Sequence, residues 1–448
     1  MSALTRAVRP PQVATVVGAG FVLWGLAIGL LRLHDNSFLT HVATGRIILT
    51  SGVPTSDPYS FTAHGHSWVL ESWLAELVYG LVDRMAGGHG LQFLHGALAA
   101  VAAGLTWMLT RPAKTLIGRI VAAAAALAVG TGYWSPRPLL LALVLFMVLV
   151  LMTETGRGSP WLLVPLMWVW VNVHGSWPLA LVYLVVRGAG RLADRRSLDR
   201  RSLDRLPRLF AALVLGALLA IANPFGVRLL LYPLVVIGHH QAFSHILEWQ
   251  SPSFSDPVNA IFLAEVLVAM ILLVARRGTV EDALVVSLFA AAAFFASRNV
   301  PVAAMVTTPV LARGLAGLGS IDGARRSAAA AAGLGALVLV GVALVAGALQ
   351  RPAYDLGAYP VAEIGWMQRH GLAPGRVATP DYVGNYLEFR YGAKASAFID
   401  DRVDMYPSSV EDAFGVLLSG SNGWTGVLRR YRITAVLWPT SEPLAGLI

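Results

Sequence analysis

The chain has 448 residues, 56% of them hydrophobic and 13% charged, with a formal net charge of +9 and no cysteine. Soluble domains carry about a quarter charged residues, so a cytosolic enzyme is excluded, and without cysteine there is no disulfide framework, thiolate metal site or cysteine nucleophile. Charge divides unevenly: residues 351–448 hold 9 basic and 10 acidic groups against 25 and 15 in residues 1–350. Nearly all the basic residues are arginines set between apolar runs without interleaved aromatics, which reads as membrane topology and not as nucleic-acid contact.

At about 1.5 Å rise per residue, Val13–Leu33 can cross a roughly 30 Å hydrocarbon core as one helix. This run is too long for a signal-peptide core and follows Arg6 and Arg9, so it is expected to stay as an anchor. Ten further spans are expected, giving eleven centred near residues 23, 99, 123, 145, 166, 183, 215, 267, 288, 309 and 338. With the N-terminus in the cytoplasm, the loops at Arg111/Lys114, Arg157, Arg191–Arg208, Arg276/Arg277 and Arg325/Arg326 share that side. All eleven histidines and residues 351–448 then face the outside, at a cell membrane. The tandem RRSLDRRSLDR at 195–205 reads as a solvated loop meeting anionic lipid.

This arrangement requires residues 34–86 not to span. Ser37, Thr40, His41 and Thr44 form one polar stripe at helical spacing, and Ser72, Glu76, Tyr79 and Asp83 form another. Both segments are expected as amphipathic helices in the membrane interface. After Arg351-Pro352 the composition becomes that of a small α/β domain, with strand-like segments at 375–379, 395–399 and 433–438 alternating with helical ones. The fold class is therefore a polytopic α-helical membrane protein, residues 1–350, with an extracytoplasmic α/β domain, residues 351–448.

Candidate chemistry lies in the outer loops. Asp35, flanked by His34 and near His41, sits where the first span meets water; it can act as a general base for a part-lipid, part-polar substrate or cap the following helix. Glu71 stands among tryptophans off the polar stripe, where burial would raise its pKa and an arginine would lower it. Arg137 and Arg298 break the positive-inside pattern, so each is a candidate phosphate ligand or a snorkel to lipid. His174 follows in NVHG. His239, His240 and His245 lack metal-motif spacing, and no metal or other cofactor is indicated. In the terminal domain, FIDDRVDMY at 398–406 either binds a polar ligand or satisfies itself as an ion network. Walker A, Rossmann and GxSxG motifs are absent.

In order along the chain, Asp35, TSGVPTSDPYSFTAHGHSW, WVLESWLAELVYG, RP, NVHG, NPFG, EWQSP and FIDDRVDMY resemble the GT-C superfamily of integral membrane glycosyltransferases, especially its bacterial branch. The resemblance implies transfer of a sugar from a polyprenyl-phosphate carrier to an extracytoplasmic glycan, lipid or protein. It further implies Asp35 as base, Glu71 orienting it or a sugar hydroxyl, and Arg137, Arg298 and His174 at the departing phosphate. His34 and His41 complete the substrate-binding set. Better-known members carry two adjacent acids where Asp35 is followed by Asn36, so the base and any metal requirement stay open. The rival class is a non-catalytic transporter or lipid-handling envelope scaffold.

Overall fold

A computed structural model describes residues 10–194, 200–238, 247–319, 321 and 323–448. Arg6, Arg9, the first half of the 195–205 repeat and His239, His240 and His245 lie outside the described residues. Helices cover each of the eleven centres: α1 (Val13–Gly29), α3 (Trp73–Leu109), α4 (Leu116–Thr131), α5 (Pro138–Thr155), α6 (Leu163–Val173), α7 (Pro178–Ala193) and α8 (Arg200–Leu219), then α10 (Pro257–Ala275), α11 (Val280–Phe295), α12 (Val300–Gly314) and α13 (Ala328–Leu349). Between α8 and α10 stands a helix the apolar pattern did not single out, α9 (Val227–Gly238), interrupted by Pro233. The helices bearing 73–113, 138–155, 257–275 and 328–349 are long and apolar enough to cross a membrane, and the chain is a helical membrane protein.

Local chemistry sets the helix starts. Thr115, Asp256, Thr279 and Ser327 cap α4, α10, α11 and α13 through their side chains, each satisfying backbone N–H groups that lack helical partners. The expected second amphipathic helix and the span after it are one element, α3, bent at Gly87 (φ 59°).

The first amphipathic segment is α2 (Asn36–Ser51). Its polar stripe is taken up by protein partners. Ser37 donates to Asp401, Thr40 Oγ1 to Glu388 at 2.5 Å, His41 Nδ1 lies 2.7 Å from Glu76 Oε1, and Thr44 Oγ1 is 2.9 Å from Tyr59 OH. Its apolar residues Phe38, Leu39, Val42 and Ala43 are buried, so α2 is wedged between α3 and the C-terminal segment.

That segment contains α14 (Val361–Arg369), α15 (Asp381–Tyr391), α16 (Ser408–Ser419) and α17 (Trp424–Arg430) with a two-stranded parallel sheet, β1 (Val377–Ala378) beside β2 (Ala435–Val436). Two of the three expected strands therefore form, each much shorter than its apolar run. Residues 395–399 make a loop instead, because Ala397 exchanges backbone hydrogen bonds with Tyr59 and Phe61 of the first outer loop (3.2 and 3.0 Å). Leu33 pairs likewise with Ala353 and Asp355 (2.8 and 2.7 Å). Apolar side chains of the bundle and of the C-terminal segment join in one core.

Candidate active site

A cavity of about 540 Å³ opens where the outer loops meet α2. One wall is polar and carries His41, Glu71, Arg137, His174, Arg298 and Asp401. Apolar side chains line the cavity too: Leu179 and Val182 of α7 and Pro233, Val236 and Ile237 of α9. Val185 and Leu234 on the same two helices are exposed. Five of the seven site residues named from sequence line this space. The other two, Asp35 and His34, are not among its lining residues. His34 is exposed, with Nδ1 3.1 Å from the carbonyl oxygen of Arg32.

Asp35 stands behind Arg137. Its Oδ1 accepts the Phe38 N–H at 3.0 Å and so caps α2, and Arg137 Nε donates to both carboxylate oxygens at 2.9 and 2.8 Å. Arg137 Nη1 also reaches Glu248 Oε1 at 3.1 Å. Burial opposes the Arg137 charge, but Asp35 and then Glu248 outweigh it and push the pKa up.

Arg298 differs. Among the described residues no carboxylate forms an ion pair with it, and its guanidinium lies 4.1 Å over the Trp249 ring. Burial pulls its pKa down, with Glu248 and Glu71 partly restoring it. A partly buried guanidinium without a direct counter-ion among the described residues suits an anionic ligand.

Glu71 precedes α3, and its carboxylate accepts the Gly175 N–H. The NVHG turn is brought to it because Trp73 Nε1 donates to Asn172 Oδ1 at 2.8 Å. Burial pushes Glu71 up to about 7, helped by Asp404 and resisted by the Gly175 N–H, His41 and Arg298. His174 Nδ1 accepts the Ser176 N–H at 3.0 Å, which leaves the ring proton on Nε2. Burial, then Arg298, His41 and Arg137, hold His174 down to about 3, which keeps the ring neutral.

The C-terminal segment closes the cavity. Asp401, Arg402 and Asp404 line it; Asp404 Oδ2 accepts from Tyr232 OH of α9 at 3.1 Å. Burial raises the pKa of Asp401 and of Asp404. Arg402 is buried against Asp57 (2.8 Å), Asp400 (2.6 Å) and Glu388 (3.3 Å), so FIDDRVDMY is at once an ion network and a cavity wall. Glu76, Tyr232 and Glu248 also line the cavity without having been singled out from sequence. Glu76 read as one member of a polar stripe, and Tyr232 left no periodic signal in its apolar run. Among the described residues no group of three or more His, Asp or Glu side chains is placed to hold a metal ion.

The fold has solved counterparts. The archaeal oligosaccharyltransferase AglB from Archaeoglobus fulgidus, in complex with an inhibitory peptide and a dolichol-phosphate, superposes with a TM-score of 0.55 at 10% identity over 94% of this chain and 69% of that one. The Archaeoglobus fulgidus oligosaccharyltransferase in its apo form gives 0.57 at 11% identity over 93% and 69%. The chain thus shares the fold of these oligosaccharyltransferases. No protein-family model matches the sequence, and no curated protein matches it.

Proposed function

We propose that the protein is a membrane glycosyltransferase that moves a sugar from a polyprenyl-phosphate carrier to an acceptor on the outer face of the cell membrane. The observation that carries this reading is the mixed lining of one cavity: Arg298, Arg137, His174 and Glu71 share it with apolar side chains of α7 and α9, helices that also carry exposed Val185 and Leu234. A lipid-linked phosphate needs both halves, one for its chain and one for its charge. The shared fold with a dolichol-phosphate-bound oligosaccharyltransferase supports it. In this reading eleven helices span, the N-terminus is cytoplasmic, and residues 351–448 form an outer domain that walls the site.

The step is a displacement at the anomeric carbon. The acceptor hydroxyl gives its proton to a carboxylate as its oxygen bonds to that carbon; the carbon–oxygen bond to phosphate breaks, and the phosphate leaves with the electron pair. Arg298, Arg137 and the Nε2–H of His174 meet the charge that develops there, in a site partly shielded from water. Glu71 suits the base, since it faces the cavity with a pKa of about 7. Asp35 is the second candidate. Both its oxygens already bind Arg137, and protonating it would strand that guanidinium, so it serves best by positioning Arg137.

The test is transfer of label from undecaprenyl-phosphate-linked monosaccharides in proteoliposomes. Donor consumption that falls at least 100-fold in Arg298→Gln is expected. If no such donor is consumed by the unaltered protein while it moves a solute across the bilayer, the reading gives way to a transporter.

A further inference from the structure

Two carboxylates reach Arg137, and they are held differently. The Asp35 side chain is 9% exposed; both its oxygens accept from Arg137 Nε, and one of them also caps α2. The Glu248 side chain is 43% exposed and meets Arg137 Nη1 with Oε1 at 3.1 Å. Asp35 is thus a fixed counter-ion. An exposed pair such as Arg137–Glu248 adds little stability and parts readily.

Glu248 is also tied to the second cation. Its carbonyl oxygen accepts the Ser297 hydroxyl at 3.2 Å, and the Ser297 N–H donates to the Gln250 carbonyl at 2.9 Å. The short helix Leu247–Trp249 is therefore fastened to the turn Ser297–Asn299 that carries Arg298. Trp249, the next residue, lies 4.1 Å from the Arg298 guanidinium. Burial lowers the Arg298 pKa, and Glu248 is the strongest charge acting against that. Arg137, Glu248 and Arg298 all line the cavity.

A phosphate would seek the same partners. Guanidinium groups bind phosphate through charge-assisted hydrogen bonds, in pairs where geometry allows, so a phosphate can take Arg137 Nη1 from Glu248, whose side chain has water to turn to. The carboxylate still opposes an anion there. In the proposed transfer that opposition grows as the reaction proceeds. The donor phosphate is a diester with one negative charge. When its bond to the sugar breaks it keeps the electron pair and becomes a monoester with close to two charges at neutral pH. Without Glu248, Arg137 and Arg298 would hold this product more firmly than the donor.

We infer that Glu248 competes with the lipid-linked phosphate for Arg137 and so sets how firmly the site holds that phosphate, the product above all. This rests on the proposed function for the identity of the ligand. The two acids on Arg137 then act in opposite directions: Asp35 positions the guanidinium for phosphate, and Glu248 takes it back.

Binding is measured without transfer. The full chain in phosphatidylcholine nanodiscs is titrated at pH 7 with undecaprenyl phosphate, inorganic phosphate and undecaprenol. Glu248→Gln and Glu248→Ala are each expected to bind undecaprenyl phosphate about tenfold more tightly than the unaltered protein, with undecaprenol unchanged. Replacing a residue that only braced the fold would weaken binding instead. Absence of saturable undecaprenyl phosphate binding, or unchanged or weaker binding in either variant, overturns the inference. Equal tightening for undecaprenol also overturns it, as does tightening for inorganic phosphate alone. Consumption of labelled undecaprenyl-phosphate-linked monosaccharide is followed separately. Transfer without the tightening keeps the glycosyltransferase reading and removes this role of Glu248; tightening without transfer does the reverse.

Discussion

Arg137 and Asp35, 102 residues apart, meet through a single guanidinium nitrogen that donates to both carboxylate oxygens at 2.9 and 2.8 Å. The acid at the exit of the first helix thus fixes a cation at the start of α5, and caps α2 as it does so.

Asp35→Asn is accordingly expected to act on Arg137. Asparagine keeps the cap but cannot neutralise the guanidinium. The donor KM should rise about tenfold while the pH dependence of kcat/KM keeps its shape. Loss of the pH-dependent limb in this variant would make Asp35 the base instead. Steady-state transfer between pH 5 and 9 distinguishes the two.

Glu71 gives the opposite pattern. Burial raises it to about 7, so the proton-accepting form is scarce below that pH, and kcat/KM should climb through pH 7. Glu71→Gln should lower transfer by 100-fold or more with little effect on donor KM.

The same burial has a sign in stability. A carboxyl whose pKa is raised from an ordinary 4.5 to about 7 favours the folded state while neutral. That contribution is complete below pH 4.5 and is lost as pH rises through 7, amounting to about 3 kcal/mol. Glu71→Gln should therefore melt above the unaltered protein at pH 8 and level with it near pH 4.5. Equal melting temperatures at pH 8 would contradict the burial argument.

At the other end of the bundle, Glu154 of α5, Arg187 and Arg191 of α7, Glu281 and Asp282 of α11 and Arg313 of α12 form one ion network. It joins four helices. Glu154 serves both Arg187 and Arg313, so Glu154→Ala leaves Arg187 with Glu281 and Arg313 with Asp282 alone and should lower the unfolding midpoint in detergent.

Gly45 and Gly80 let α2 and α3 touch backbone to backbone. A Cβ on Gly80 would come 2.4 Å from the Gly45 carbonyl oxygen, and one on Gly45 would come 2.3 Å from that of Glu76. Gly80→Ala should push α2 away, lengthen the His41–Glu76 contact and reduce both thermal stability and transfer.

Apolar runs were enough to place the helices, since burial in lipid or in protein selects the same side chains along such a run. They did not mark α9, whose Pro233 and polar flanks weaken the pattern. The 395–399 segment carries strand-like side chains, yet its backbone pairs with residues 59 and 61, a long-range choice that no local propensity encodes. For the site, residue type was informative: Arg137 and Arg298 stood out by breaking the expected positive-inside pattern, and Glu71 by leaving its stripe. Partners were not. The pairing of Asp35 with Arg137, of Glu76 with His41 and of Arg402 with Asp57 depends on how distant segments fold together, so base, positioning group and wall could not be told apart along the chain.

Because Asp401, Arg402 and Asp404 supply part of the cavity wall, the order of synthesis matters. The helical bundle can insert while the ribosome is still at work, but its cavity lacks a side until residues near 400 have emerged and placed Arg402 beside Asp57. If the cavity is the proposed transfer site, competence for chemistry is thus a late event in the life of each molecule.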